Sequence, residues 1–280
     1  MALLLAIALL ASACGSDSAS MAETTEPTAT ATPSVPAEIL AVEPTEAPAV
    51  EAVDELSELE LRTAVVQNAL WADNVTITIT DDTVIFESDG LPAHEYLDQY
   101  LGDGRDGKFI AGGVEAYAAR FEIPLVPTLA SSPTETGNGA IGVAISGAVF
   151  FDPYEGDGSD TVANDDNSVI DGIPFIDACG GHPLPNAISY HYHGVPFCIT
   201  DAIDTPGEHS VLIGYLFDGY PIYGPQDIGG EVPTDLDECM GHFGPTPEFP
   251  DWTYHYHVSE DANYISECLV GDYNAARGRP

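Results

Sequence analysis

Apolar residues are distributed unevenly along this chain. An unbroken apolar run, Ala2 to Ala11, is followed by residues 15–51, which are rich in Ala, Thr, Pro, Glu and Ser and almost free of large apolar side chains. The run has the length of a signal peptide and is too short to span a bilayer. The stretch after it cannot offset the entropy of folding, so 15–51 is expected to be a disordered linker extended by its prolines. From residue 52 the pattern changes. Leu56, Leu59, Val66 and Leu70 recur at helical spacing and predict a helix within 52–72 with those side chains inward. Val75 to Thr80 alternates strictly, Asp81-Asp82 marks a turn and Val84-Ile85-Phe86 returns, which predicts a hairpin. Short helices are expected at 91–101 and 112–120. Elsewhere short apolar runs are cut by Gly, Pro, Asp and Asn roughly every ten residues, the pattern of a mainly β domain with long loops, spanning 52–275.

The strongest pattern in the chain is a repeat. Gly142 to Pro153 and Gly214 to Pro225 share Gly, Gly, paired apolar or aromatic residues and Pro at the same spacing. Each is followed by Asp-x-Cys-x-Gly-His (Asp177 to His182, Asp237 to His242), then by Tyr-His-Tyr-His (190–193, 254–257), then by a cysteine, Cys198 or Cys268. This order predicts two related halves, about 140–198 and 211–268, packed with pseudo-two-fold symmetry in a single β-rich domain.

Composition adds a compartment and removes some partners. The chain has 46 acidic against 6 basic residues among 280, a formal charge of −40. Such a surface repels nucleic-acid phosphates and anionic membranes and attracts cations. Leu10-Ala11-Ser12-Ala13-Cys14-Gly15 is similar to a bacterial lipoprotein cleavage box, so 1–14 reads as a signal peptide with Cys14 the lipidated residue. The only expected contact with a membrane is that anchor, and the protein is expected at the cell surface or in the periplasm. In that setting Cys179, Cys198, Cys239 and Cys268 predict two disulfides. The simplest pairing is Cys179–Cys198 with Cys239–Cys268; a pairing that crosses between halves is the alternative.

Six of the eight histidines lie in the two repeats. On a strand, His191 and His193 share one face and Tyr190 and Tyr192 the other; His255 and His257 are set against Tyr254 and Tyr256 in the same way. A third imidazole from the loop after each cysteine completes His182, His191, His193 and His242, His255, His257. Imidazole suits Cu, Zn, Ni and Fe, and with the thiols oxidised the set favours copper, with zinc the alternative. Asp177, Asp237 and Asp218 are candidate acceptors that orient the rings, and His94 and His209 are candidate extra ligands. The acidic loop 152–171 is a candidate calcium site by its carboxylates, without EF-hand spacing. No nucleophile elbow, phosphate-binding loop or dinucleotide fingerprint occurs. Three functions remain open: an extracytoplasmic metal-binding protein, a metalloenzyme (copper redox or zinc hydrolase), or a structural or adhesive module without metal.

Taken together, the doubled Tyr-His-Tyr-His, Ser88 to His94, Ile123 to Thr128, Ile141 to Gly147 and His209 to Pro225 resemble the YHYH-domain proteins. The resemblance covers about 75–271. It implies an exported protein of this architecture and draws His94 and His209 closer to the site, but implies no substrate. Ser146 departs from the pattern, standing where Asn is expected.

Overall fold

The computed structural model describes residues 56–95, 114, 116–137, 139–154, 162–164, 169–170, 173–174, 176–183, 190–262 and 264–273. Cys14, the 15–51 linker and most of the 152–171 loop therefore lie outside the described residues. So does the 96–113 part of the two expected short helices. Residues 91–95 and 116–118 are not helical, and Ala119 onward is strand.

Helix α1 runs Glu58–Asn68 and starts at a capping box, in which Ser57 and Glu60 satisfy each other's backbone amides. That start places Leu56 before the helix and the C-cap Ala69 places Leu70 after it. The expected apolar face is thus corrected. Leu56, Leu59 and Leu70 are exposed, while Val65, Val66 and Arg62 are buried. Arg62 is held by Glu58 (3.0 Å) and Thr253 (3.2 Å) and lies over the Phe249 ring. A planar cation satisfied in this way can be buried where a leucine was expected.

Next come β1 (Thr76–Ile79) and β2 (Thr83–Ser88), an antiparallel hairpin in the register the alternation demands, Thr76 opposite Glu87 and Ile79 opposite Val84. β3 (Ala119–Pro124) pairs with the other side of β2 to close a three-stranded sheet. β4 (Leu129–Glu135) follows, and then the elements of the main sheet: β5 (Ala140–Ala144) and β6 (Val149–Phe151). A small pair, β7 (Val169–Ile170) with β8 (Ile173–Pro174), precedes β9 (Gly181–Pro183), β10 (Tyr190–Tyr192) and helix α2 (Phe197–Ile203). The chain continues through β11 (Leu212–Leu216), β12 (Pro221–Tyr223), β13 (Gly241–Gly244), β14 (Thr253–His257) and β15 (Cys268–Gly271).

The fold is mainly β. Its main sheet has eight strands in the order β13-β14-β12-β11-β5-β6-β10-β9. From the central β5/β11 pair outward, each side has an antiparallel neighbour, then a parallel strand carrying Tyr-His-Tyr-His, then an antiparallel edge strand. The seam depends on glycine. A Cβ on Gly214 would sit 2.1 Å from the Val143 carbonyl oxygen, and one on Gly142 2.6 Å from that of Tyr215. The three-stranded sheet and the segment after α1 pack on the centre of the main sheet through Trp71, Phe86 and Tyr215 and through Phe121 with Phe217, ring centroids 5.0–6.2 Å apart. Each buried ring brings a large apolar area to this core. Two disulfides, Cys179–Cys198 and Cys239–Cys268, close loops of 19 and 29 residues and follow the simplest pairing expected. Each contributes on the order of 3 kcal/mol by restricting the unfolded chain.

Candidate metal centres

A turn repeated in each Asp-x-Cys-x-Gly-His segment sets the position of the histidines. Asp177 Oδ1 accepts from the amides of Cys179 (2.8 Å) and Gly181 (3.2 Å) and from Tyr190 Oη (2.8 Å). Asp237 accepts from Cys239 N (2.8 Å), Gly241 N (3.2 Å) and Tyr254 Oη (3.0 Å). The fourth residue of each turn has a left-handed backbone, Gly180 at φ +80° and Met240 at φ +67°. Its carbonyl then accepts from the amide of the last histidine: Gly180 from His193 (3.0 Å), Met240 from His257 (2.9 Å). The turn therefore fixes both the edge strand and the Tyr-His-Tyr-His strand. It places His182 directly across from His191, and His242 directly across from His255.

These contacts correct the expected role of the aspartates. The hydrogen bonds of Asp177, Asp237 and Asp218 among the described residues come from tyrosines and backbone amides. Asp218 accepts from Tyr256 Oη (2.5 Å), Gly271 N (2.9 Å) and Tyr220 N (3.2 Å). Burial holds the Asp177 and Asp218 carboxyls above the usual carboxylate range, partly offset by those donors. In the other half Ser146 occupies the place of Asp218 in the repeat and bonds Tyr192 Oη (2.9 Å). There the tyrosine also meets His94 Nε2 at 2.5 Å. His94 thus lies on the tyrosine side of the strand, beside the Cys179–Cys198 disulfide, and joins neither histidine cluster. With both sulfurs in the disulfide, no thiolate is available there.

The rings are oriented by carbonyl oxygens instead. His193 Nδ1 lies 2.8 Å from the Asp152 carbonyl and His257 Nδ1 2.7 Å from that of Gly224, equivalent positions in the two repeats. His209 Nδ1 faces the Ser210 carbonyl (2.7 Å), His255 Nδ1 that of Thr253 (3.2 Å), and His242 Nδ1 an Asp235 carboxylate oxygen (3.0 Å). A carbonyl or carboxylate oxygen only accepts, so each of these Nδ1 atoms carries the proton. Each Nε2 of a neutral ring is then a lone pair.

Ring nitrogens converge at two places. His182, His191 and His193 each offer a nitrogen within 4.8 Å of the others, with His191 and His193 Nε2 3.1 Å apart. At the other end, His209, Asp227, His255 and His257 offer atoms within 4.8 Å of one another. His242 stands beside them, its Nε2 3.1 Å from His255 Nε2 and 3.9 Å from Asp227 Oδ2. His209 Nε2 and His257 Nε2 are buried and have no hydrogen bond among the described residues. Burial keeps His182, His193, His255 and His257 neutral. The His193 imidazolium is disfavoured until about pH 4 by desolvation; those of His255 and His257 until about pH 3, by desolvation first and then by neighbouring histidines. His182 is pushed well below the ordinary imidazole range by the same two causes.

The first set is the one expected from sequence. The second set differs: His242 stands beside the converging atoms and not among them, while His209, named as an extra ligand, and Asp227, which sequence reasoning missed, join His255 and His257. The available signal was position: Asp227 lies two residues after Gly224-Pro225, where Glu155 follows Asp152-Pro153 in the first repeat. Glu155 is outside the described residues. Asp152, the candidate calcium ligand that is described, is buried and its carboxylate accepts from the amides of Gly139 and Tyr154 (2.9 Å), so it serves a turn. Strands β10 and β14 are five positions apart in the sheet, roughly 24 Å at about 4.8 Å per strand, so the clusters are separate sites.

Among the described residues, no helix is long and apolar enough to cross a membrane. No curated protein and no solved structure matches the chain. A family model described as YHYH protein matches residues 120–229 and 227–271, more than half of the chain, and the chain belongs to that family.

Proposed function

With that membership as premise, we propose that the protein is an exported, lipid-tethered metal-binding protein with two histidine sites, copper being the favoured ion and zinc the alternative. The observation that carries this reading is the set of pinned Nδ1 atoms. His193, His255 and His257, kept neutral by burial, each present a lone pair on Nε2 to the interior of a buried cluster, and His209 and His242 have their Nδ1 atoms pinned in the same way. Opposed lone pairs in a low-dielectric interior repel, and a soft or borderline cation removes that repulsion. The neutral rings of His182, His193, His255 and His257 are also ready to ligate at pH 7, because no proton has to leave. Copper or zinc fits the all-imidazole chemistry better than a hard cation such as calcium. The ligands are almost fully buried, which fits an ion that is held more than one that meets substrate; sequestration or delivery is preferred to catalysis on that ground.

The disulfides are compatible with an oxidising compartment outside the cytoplasm. Cys14 is the proposed anchor, residues 15–51 the spacer and 52–275 the ligand-binding domain.

Metal content by mass spectrometry on the Cys14→Ser chain tests the reading, beside a variant with His191, His193, His255 and His257 changed to Ala. Near-stoichiometric copper or zinc, lost in a variant that keeps its circular dichroism spectrum, is the expected result. A chain that takes up neither ion after reconstitution would leave the histidines as packing residues and end the proposal.

A further inference from the structure

We propose a further cation site, apart from the histidine clusters, that opens when the Cys179–Cys198 disulfide is reduced: two thiolates and the His94 imidazole then hold a thiolate-binding divalent ion such as Zn(II). A ring nitrogen of His94 and the sulfurs of Cys179 and Cys198 lie within 4.8 Å of one another. Zinc holds imidazole and thiolate at about 2.0–2.3 Å, so neighbouring ligands of one ion stand roughly 3.5 Å apart, a short move from where these three atoms are. The sulfur–sulfur bond is what withholds the thiolates. Opening it takes two electrons and two protons from a dithiol, which leaves as a disulfide; the ion then displaces the two thiol protons. Two negative sulfurs balance the charge of a divalent ion, and with one imidazole they leave a fourth position for water.

The backbone holds the three ligands in place without that bond. Cys179 sits in the Asp177 turn, and the Gly180 carbonyl of this turn accepts from His193 N (3.0 Å) and Gly194 N (3.1 Å). The turn is thereby tied to the segment that leads into α2, where Cys198 lies. On the other side, Ala93 N donates to the Ser146 carbonyl (2.9 Å) and anchors the chain just before His94. The His94 ring is oriented at both nitrogens, with Nδ1 3.0 Å from the Glu95 carbonyl and Nε2 2.5 Å from Tyr192 Oη. Whichever nitrogen takes the ion, the other keeps its oxygen partner. Tyr192 Oη in turn has Ser146 Oγ at 2.9 Å, so it stays bonded if His94 Nε2 turns to the ion. His94 and Cys198 are half-buried and keep some contact with solvent, from which a reductant and an ion arrive; Cys239 and Cys268 are buried.

Co(II) is the probe, because thiolate ligands give it an intense near-ultraviolet charge-transfer band that imidazole ligands do not. The Cys14→Ser chain is reduced with a dithiol, freed of it under argon and titrated beside the oxidised chain. The band is expected in the reduced chain only, and alkylation with peptide mapping should place free thiols at Cys179 and Cys198. It should vanish in Cys179→Ser/Cys198→Ser. His94→Gln should weaken Co(II) binding by about tenfold or more, since even an outer partner of a ligand is worth that much. Four outcomes would overturn the proposal: no band after reduction, a band undiminished in Cys179→Ser/Cys198→Ser, an affinity that His94→Gln leaves unchanged, or loss of the folded circular dichroism spectrum as the pair opens. The histidine clusters are judged separately, since their binding is read in the oxidised chain and carries no sulfur band.

Discussion

Acid should unfold the metal-free protein far above the pH at which carboxylates titrate, because the folded state refuses protons that the unfolded chain accepts. The imidazoles of His193, His255 and His257 are held to about 4, about 3 and about 3 in the fold, against about 6.5 in an unfolded chain. The sign follows from the depression. Above 6.5 both states are neutral and the folded state keeps its full stability. As pH falls through 6.5 the unfolded state gains protons, and stability drops until the folded pKa is reached. At pH 5 each of the three rings accounts for roughly 2 kcal/mol lost. Together they amount to about 6 kcal/mol, or a melting temperature roughly 12–24 °C lower than at pH 7.5 for a domain of this size. Two effects oppose the loss. Protonating the surface carboxylates relieves self-repulsion, and the buried Asp177 and Asp218, with raised folded pKa values, favour the folded state as pH falls. High salt suppresses the first, since about 1 M shortens the screening length to about 3 Å. A His193→Gln/His257→Gln variant isolates the rings, because it retains an amide donor for the Asp152 and Gly224 carbonyls and leaves every carboxylate in place. Thermal melts in chelator and high salt, from pH 7.5 to 5, should show the variant losing much less stability than the parent. Parallel pH profiles for the two chains would refute the reasoning.

Two further perturbations follow from packing. Tyr256→Phe removes a 2.5 Å donor from the buried Asp218 carboxylate; a charge-assisted bond lost in the interior costs about 2 kcal/mol, visible as a fall of about 4–8 °C in a melt at pH 7.5, and an unchanged midpoint would contradict it. Gly214→Ala places a Cβ 2.1 Å from the Val143 carbonyl oxygen in the central seam, so it should destabilise by about 2 kcal/mol or more, whereas Gly207→Ala, at a position with open space around it, should cost only its positive-φ strain of about 1 kcal/mol.

The parts of the structure legible in sequence were those set by local rules. Val75–Thr80 alternates, so its pairing register with β2 follows from side-chain parity. Tyr-His-Tyr-His alternates as well, which was enough to place the tyrosines and the histidines on opposite faces. The disulfide partners followed from the order of cysteines within each repeat. What failed depended on tertiary partners. Arg62 is buried because Glu58, Thr253 and Phe249 meet it, and two of those lie about 190 residues away in sequence. The aspartates of Asp-x-Cys-x-Gly-His looked like partners for imidazole, yet a carboxylate two residues before an amide closes an Asx turn first, and here it does. Asp227 went unnoticed because no pattern marks a single acidic residue in a chain with 46 of them.

A sheet of eight strands ordinarily presents two unpaired margins on which another chain can add a strand. Here β9 and β13 end the sheet after three and four residues. Each is entered through a turn that contains a disulfide cysteine and is bonded to the neighbouring strand's last histidine. Short, pinned margins give strand addition little template. Strand addition at the described margins of this sheet is therefore a poor route for one copy of the chain to join another.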